Sequence, residues 1–212
     1  MSEFRIAVLA SGTGTNLQAI IDTLHGRDGI EIACVASNKR DARALERATQ
    51  VGVETAVFHR SDHGDRVDRD EAMADWLAGR DVDLIVLAGY MELLSPEFVR
   101  RFPNRIVNVH PALLPSFPGL DAVGQALEHG VAVTGVTVHF VDEGVDSGPI
   151  IMQRPVNVPY TRDRSQLERE IHEVEHQLLP EAIRLIAAGA ARVDDRNRRI
   201  VHVDQPETAG DG

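Results

Sequence analysis

The sequence has little of several things, and each shortage excludes a class of protein. Cys34 is the only cysteine among 212 residues, so an internal disulfide is excluded, and its apolar surroundings predict a small buried thiol in a reducing compartment. Acidic residues outnumber basic ones 33 to 22, for a net charge of -11, and no basic stripe could follow a phosphate backbone. A nucleic-acid partner is not expected.

Long apolar runs are also missing. None approaches the roughly 20 residues that a helix needs to span a bilayer, and Met1–Arg5 lacks the basic-then-apolar layout of a signal peptide. Hydrophobic residues at 43% and charged residues at 26% match the averages for soluble globular proteins. We expect a cytoplasmic protein that does not enter a membrane.

The first half of the chain alternates strand patterns with helix patterns. Compact apolar runs predict four strands, and apolar residues at helical spacing follow each of the first three. The predicted strands are Phe4–Leu9, Ile30–Ala36, Thr55–Phe58 and Val82–Ala88, and the predicted helices run over about Leu17–Leu24, Asp41–Val51 and Arg66–Ala78. This alternation predicts an α/β fold with a doubly wound, mostly parallel open sheet, as in Rossmann-like proteins.

The second half changes rhythm. Ser95 and Pro96 open a short helix, and the remaining pattern predicts three strands, a long helix and a small strand pair with a loose polar end. These segments are Arg105–His110, Thr134–Val141, Pro149–Val158, Arg164–Ala188 and Ala190–Gly212. The two strands from Thr134 and Pro149 are expected to pair antiparallel at one end of the sheet. We expect a single domain over 1–189, with halves at 1–104 and 105–189, and an extension over 190–212.

The first strand hands over to its helix through Ala10–Leu17, a glycine-rich turn. Gly14 allows a tight turn, and the free N–H groups of the helix start, with Thr15 and Asn16, favour a phosphate. The turn could instead serve the fold alone, with Asn16 as a helix cap. Another alternative is a dinucleotide site, in which Ser37, Lys39 and Arg40 hold a 2′-phosphate, although Leu17 replaces the third glycine of that motif.

A second candidate site ends the strand Arg105–His110. Asn108 and His110 are two residues apart, so both side chains project from one face at the sheet edge where α/β folds bind ligands. The acidic loop Asp142–Gly148 could be a solvated turn, or it could bring Asp146 to His110 for proton transfer. A metal site of His110, His139, Asp142 and Asp146 is a third possibility, without the short spacing typical of such sites.

A third stretch, Leu87–Pro96, follows the most apolar strand. Its apolar side chains could pack in the core or line a slot for a flat heteroaromatic ligand.

Taken together, the motifs resemble those of the phosphoribosylglycinamide formyltransferase family, folate-dependent enzymes of purine synthesis. They are Ser11–Leu17, Ser37–Lys39, Leu87–Met91, Asn108–Gly119, Thr137–Phe140 and Asp146–Pro149, in family order and spacing between about Arg5 and Ala188. The resemblance implies a Rossmann-like sheet and transfer of a formyl group from 10-formyltetrahydrofolate to the amine of glycinamide ribonucleotide, without a metal.

The resemblance also implies roles for particular residues. The implied catalytic residues are Asn108, His110 and Asp146. Gly14, Thr15 and Asn16 are implied to hold the ribonucleotide phosphate, and Glu175 the ribose hydroxyls. The implied folate contacts are Arg66, Met91, Glu92, Leu93, Leu94, Asn108 and the loop around Asp142. The partners are then small molecules, and the protein is a monomer or a homodimer.

Some positions depart from the family pattern. Leu120–Gly124 replaces a stretch that often carries histidine or asparagine, Glu92 is basic in some relatives, and His172 stands where some relatives have a lysine. Two relatives are the nearest rivals. Methionyl-tRNA formyltransferase needs a large further domain, and formyltetrahydrofolate hydrolase has a regulatory domain and a histidine in place of Pro111. A non-catalytic NADP-binding module is a rival of a different class.

Overall fold

The computed structural model describes residues 3–204, and these form one seven-stranded sheet, a two-stranded sheet and six α-helices. The strands are β1 Phe4–Leu9, β2 Ile30–Ser37, β3 Glu54–Val57, β4 Leu84–Leu87, β5 Ile106–His110, β6 Val133–Phe140, β7 Ile150–Asn157, β8 Ala191–Val193 and β9 Val201–Val203. The helices are α1 Thr15–Thr23, α2 Arg43–Gln50, α3 Arg66–Ala78, α4 Pro96–Arg101, α5 Ala122–Glu128 and α6 Arg164–Ala187.

The large sheet has the order β3-β2-β1-β4-β5-β6-β7. Strands β1 to β5 pair in parallel, whereas β6 pairs antiparallel with both β5 and β7. The predicted fold class is confirmed, including the antiparallel pair at one end of the sheet.

Strand β1 shows why the sheet is covered on both faces. Its side chains alternate, so Ile6 and Val8 join the core formed with α1, α2 and α6, while Ala7 and Leu9 join the core formed with α3 and α4. All four side chains are fully buried. A parallel strand segment buried on both faces is apolar throughout, as Ile6–Leu9 are in this sequence.

Two elements differ from the sequence prediction. Helix α5 was not predicted, because Gly124 weakens its helical pattern; Asp121 caps it by accepting a hydrogen bond from the Gly124 N–H at 3.3 Å. Helix α1 begins at Thr15, two residues earlier than predicted, since Gly14 takes a left-handed conformation that sets the helix start.

At the C-terminal side, β8 and β9 form the expected strand pair, and the predicted loose end over 205–212 lies outside the described residues. Within residues 3–204, no helix combines the length and apolar character needed to cross a membrane.

The parallel strands also bring three loops to one edge of the sheet. The carboxyl ends of β1, β4 and β5 continue into segments 10–14, 88–95 and 111–121. Ligands of open α/β sheets bind at this edge.

Candidate active site

The turn between β1 and α1 has the geometry of an anion site. Gly14 has φ of +70°, and a Cβ at this position would lie 2.7 Å from the Cα of Ala44. The first hydrogen bond along α1 runs from the Gln18 N–H to the Gly14 carbonyl at 2.9 Å. The N–H groups of the three residues before Gln18 therefore precede the helical ladder, where the helix dipole favours an anion.

Asn16 and Glu175 meet beside this turn although 159 residues separate them. The Asn16 amide Nδ2 donates to Glu175 Oε2 at 2.9 Å, and the two residues are 7% and 5% exposed. Burial raises the pKa of the Glu175 carboxyl, against the opposing effects of the Asn16 hydrogen bond and the nearby His172. Among the described residues, Asn16 Oδ1 has no hydrogen-bond partner, so it can accept from a ligand.

The trio implied by the sequence comes together at the end of β5. His110 Nδ1 lies 3.4 Å from Asp146 Oδ2, and Asn108 Nδ2 lies 3.4 Å from Asp146 Oδ1. Asp146 has φ of +49°, and its Oδ2 accepts the Gly119 N–H at 2.8 Å. This carboxylate thus joins the acidic loop to the proline-rich loop after β5.

His110 faces oxygen atoms on both sides of its ring. Its Nε2 lies 2.8 Å from the Phe117 carbonyl oxygen, opposite the contact of Nδ1 with Asp146. A carbonyl oxygen can only accept, so Nε2 is the donor in its hydrogen bond with Phe117. This bond orients the ring with Nδ1 toward Asp146.

His139 is a fourth member of the cluster. The sequence predicts it only as a possible metal ligand. It lies opposite Asn108 in the β5–β6 ladder and is 2% exposed. Its Nδ1 lies 2.8 Å from the Phe140 carbonyl oxygen, and its Nε2 lies 3.3 Å from Asn108 Nδ2 and 3.6 Å from Asp146 Oδ1. The signal that could have placed it was the antiparallel pairing of its strand with β5.

Asp146 is built to stay ionised. Burial alone would raise its pKa, but the contact with His139, the Gly119 N–H and the charges of His110 and His139 outweigh burial and hold the pKa of Asp146 below its ordinary value. The Asp146 carboxylate is therefore ionised near neutral pH.

Asp142 of the metal alternative and the residues of the dinucleotide alternative make local contacts. Asp142 Oδ1 accepts from the Gly144 N–H at 3.0 Å and the Ser147 hydroxyl at 2.7 Å, within its own turn. Across residues 3–204, no three His, Cys, Asp or Glu side chains are grouped so as to hold a metal ion. At the dinucleotide alternative, the Ser37 hydroxyl accepts the Lys39 N–H and Arg40 pairs with Asp62.

The segment after β4 presents apolar side chains at the same sheet edge. Met91 and Leu93 are 64% and 57% exposed, which is unusual for large apolar residues, while Leu94 packs against the core. Glu92 pairs with Arg69, a fully buried arginine that the sequence did not single out. Arg66 is the exposed first residue of α3.

This fold is that of the formyl transferases. Residues 4–183 match the family described as formyl transferase, and the chain belongs to it.

Two relatives within that family match about nine-tenths of this chain. The chain is 45% identical over 192 residues to phosphoribosylglycinamide formyltransferase of Haemophilus influenzae, covering 90% of this chain and 91% of the relative. It is also 45% identical to the trifunctional purine biosynthetic protein adenosine-3 of Drosophila melanogaster, over 89% of this chain but 14% of that longer protein.

A solved structure is also similar to this chain. Glycinamide ribonucleotide transformylase 1 from Symbiobacterium toebii superposes with a TM-score of 0.90 at 48% identity, covering 95% of this chain and 94% of that one. The family resemblance drawn from the sequence motifs is confirmed.

Proposed function

We propose that the protein transfers the formyl group of 10-formyltetrahydrofolate to the amine of glycinamide ribonucleotide, a step of purine biosynthesis. The observation that carries the proposal is the assembly of Asn108, His110 and Asp146 at the sheet edge that also carries the anion site at Gly14. Its relatives, named for this reaction and matching about nine-tenths of the chain, support the choice of substrates.

We assign the acceptor, glycinamide ribonucleotide, to the anion site at the start of α1. The backbone of Gly14, Thr15 and Asn16 holds its phosphate, because the N–H groups at the start of α1 favour an anion. The Asn16 side chain is tied to Glu175, so this residue meets the phosphate through its backbone. The Glu175 carboxylate and Asn16 Oδ1 accept hydrogen bonds from the ribose hydroxyls.

We assign the donor to the segment that follows β4. A folate has a flat heteroaromatic ring, and the exposed apolar side chains of Met91 and Leu93 offer such a ring a surface to cover. Arg66, Glu92, Leu94 and the turn at Asp142 complete the proposed donor site. When bound there, the folate supplies the formyl carbon.

The polar trio then promotes transfer between the two nitrogens. The acceptor amine forms a bond to the formyl carbon, negative charge develops on the formyl oxygen, and the bond to the folate nitrogen breaks. Asn108 donates to that oxygen, a contact worth on the order of 3 kcal/mol in the transition state. His110 adds positive charge, and Asp146 accepts the proton of the attacking nitrogen, which is passed on to the departing folate nitrogen.

The distances in the cluster leave room for these contacts. The two contacts of Asn108 Nδ2, at 3.3 and 3.4 Å, are longer than a well-formed hydrogen bond. The Asn108 amide can therefore form a shorter hydrogen bond to a substrate oxygen without losing a strong hydrogen bond. Because Asn108 and His110 supply the charge stabilisation, the proposed reaction needs no metal.

The proposal extends to organisation and setting. Residues 1–104 carry the phosphate site, 105–189 carry the catalytic trio, and 190–212 are an extension of a single formyltransferase domain. The protein acts in the cytoplasm on small molecules, without a nucleic-acid or membrane partner, as a monomer or homodimer.

The test is a spectrophotometric assay of folate deformylation. The protein is mixed with a 10-formylfolate donor, with and without glycinamide ribonucleotide. Deformylated folate that forms only with the ribonucleotide present supports the transferase. Equal deformylation without the ribonucleotide indicates a hydrolase, and no turnover by folded protein in either mixture contradicts the proposal.

A further inference from the structure

A buried polar network lies behind the segment that carries Met91 and Leu93. Its centre is Arg69, which is 0% exposed and occupies the buried stripe of α3 together with Asp70, also 0% exposed. A buried charge is costly unless it is paired and hydrogen-bonded. Arg69 therefore needs partners, and the structure gives it two carboxylates.

The first carboxylate, Asp70, links Arg69 to the end of the segment. Arg69 Nε and Nη2 donate to Asp70 Oδ1 at 2.9 and 2.7 Å. The other carboxylate oxygen accepts the Ser95 N–H at 2.6 Å. Ser95 is the N-cap of α4 and is fully buried, so the segment is fixed to α3 where it ends.

The second carboxylate, Glu92, lies between the two apolar residues. Arg69 Nη1 donates to Glu92 Oε2, and the Asn38 amide donates to Glu92 Oε1 at 2.9 Å. Burial would raise the pKa of Glu92, but the hydrogen bonds from Asn38 and Arg69 and the charges of Arg69 and Arg60 together lower it. Glu92 is thus held as an anion at the middle of the segment.

The network continues to the strand that leads into the phosphate turn. Ser11 donates its hydroxyl hydrogen to Asn38 Oδ1 at 2.6 Å, and Ser11 Oγ accepts the Met91 N–H at 2.8 Å. The Ser11 N–H donates to the Gly89 carbonyl at 3.0 Å. An unbroken chain of hydrogen bonds therefore connects the segment from Gly89 to Ser95 with α3, with the end of β2 and with the turn that precedes Gly14.

We infer that Arg69 is a positioning residue for the donor site: paired with Glu92, it fixes the backbone of Met91–Leu94 so that the side chains of Met91 and Leu93 stay exposed toward the folate ring. Arg69 itself is fully buried and touches no substrate. Its effect reaches the donor through Glu92; the network touches the phosphate turn only at Ser11, whose partners are Asn38, Met91 and Gly89 and not Arg69. This inference rests on the proposed function, because the ligand of the segment is taken to be the formyl donor.

The test compares the KM values of the two substrates in the variant Arg69→Met. A segment that loses its fixed geometry pays an ordering cost when the donor binds, so we expect the KM for 10-formylfolate to rise about tenfold or more. The KM for glycinamide ribonucleotide stays within about twofold, because the anion site keeps its own backbone contacts. Arg101→Met is the matched control. Arg101 is an exposed arginine of α4 that pairs with Asp75 on α3, the helix that carries Arg69. We expect this variant to leave both KM values unchanged.

A role in the fold alone would give a different result. Arg69→Met would then lower the amount of active enzyme, and kcat would fall with both KM values unchanged, which overturns the inference. If Arg69→Met does not fold, Glu92→Gln provides the second test, because it keeps the shape of the side chain and removes the charge that faces Arg69. Glu92→Gln is expected to raise the donor KM selectively. Equal donor KM values for this variant and the wild type contradict the proposed role of the Arg69–Glu92 pair.

The double variant shows whether the two residues act together. If the two residues form one unit, the double variant raises the donor KM no more than the larger of the two single variants does. If they act independently, the two fold-changes in donor KM multiply. Direct titration of 10-formylfolate into wild type and Arg69→Met separates this inference from the proposed function. Weaker binding by the variant supports positioning even without transfer to the ribonucleotide, and equal binding overturns it. Absence of folate binding by the wild type overturns both.

Discussion

At the scale of single residues, Asp146 is the junction of the candidate site. Its two oxygens face Asn108, His110 and His139, and one of them also accepts the Gly119 N–H. A residue in a left-handed backbone conformation that also holds two loops together has little freedom to move. Its backbone conformation and the Gly119 hydrogen bond fix the carboxylate to which the proposed reaction gives the role of proton acceptor.

The first prediction concerns this carboxylate. Asp146→Asn removes the proton acceptor and the partner of His110, so kcat is expected to fall about a hundredfold or more while the fold persists. His110→Ala is expected to lower kcat by a similar factor. Steady-state kinetics and circular dichroism measure the two effects. Asp75→Asn, the same change at an exposed position of α3, is the control and keeps wild-type turnover; a turnover of Asp146→Asn close to that control would remove its assigned role.

The second prediction concerns the pH dependence of stability at Glu175. Burial raises its pKa in the folded state above the unfolded value, so the folded protein binds this proton more tightly. The corresponding stability is fully present below the unfolded pKa and is lost as the pH rises through the folded pKa. Glu175→Gln resembles the protonated form, and we expect it to be more stable than wild type at about pH 8, with the difference closing toward about pH 4.

Urea unfolding at several pH values measures that difference. Glu173→Gln, an exposed glutamate of the same helix, controls for the loss of one negative charge from an acidic protein. If Glu175→Gln and Glu173→Gln change the unfolding free energy equally at every pH, burial of Glu175 does not govern its ionisation.

At the scale of elements, the turn into α1 depends on one glycine. Gly14 combines a positive φ with the close approach of Ala44 on α2, so a side chain meets both backbone strain and a steric clash. We predict that Gly14→Ala lowers the unfolding free energy by about 1–3 kcal/mol and weakens binding of the ribonucleotide. Urea unfolding and ligand titration check the two effects.

Gly12 provides the matched comparison in the same turn. A Cβ there meets nothing within 4 Å, and its φ lies outside the left-handed region. Gly12→Ala is therefore expected to change stability by less than about 1 kcal/mol. If both alanine variants are equally stable, the conformation of Gly14 is not what shapes the turn.

Residues placed by local spacing could be predicted from the sequence, whereas residues placed by pairing between strands or by packing could not. Asn108 and His110 could be placed on one face because spacing of two residues along a strand is a local property. His139 could not, since its position beside Asn108 depends on the register between β5 and β6. Arg69 carries no local signal either, because an arginine next to an aspartate in an amphipathic helix is typical of a solvated face until the neighbouring loop covers it.

At the scale of the whole molecule, the sheet order explains why distant parts of the chain share one site. Strands β1, β4 and β5 are neighbours with parallel directions, so the loops that follow them meet at one edge. Strand β6 runs antiparallel to β5, so the acidic loop between β6 and β7 begins beside the start of β5, and its Asp146 reaches back to His110 at the end of that strand. The alternation of strands and helices predicted this architecture, but the closeness of the phosphate turn to Glu175 of α6 required the packed structure.

The most direct measurement follows the formyl carbon itself. A donor labelled with carbon-13 in its formyl group is incubated with the protein and glycinamide ribonucleotide, and the products are followed by NMR. The account predicts that the label appears in the amide of formylglycinamide ribonucleotide, one for one with the donor consumed, and that Asp146→Asn slows its appearance. Label appearing as free formate, at the same rate with or without the ribonucleotide, would contradict the account.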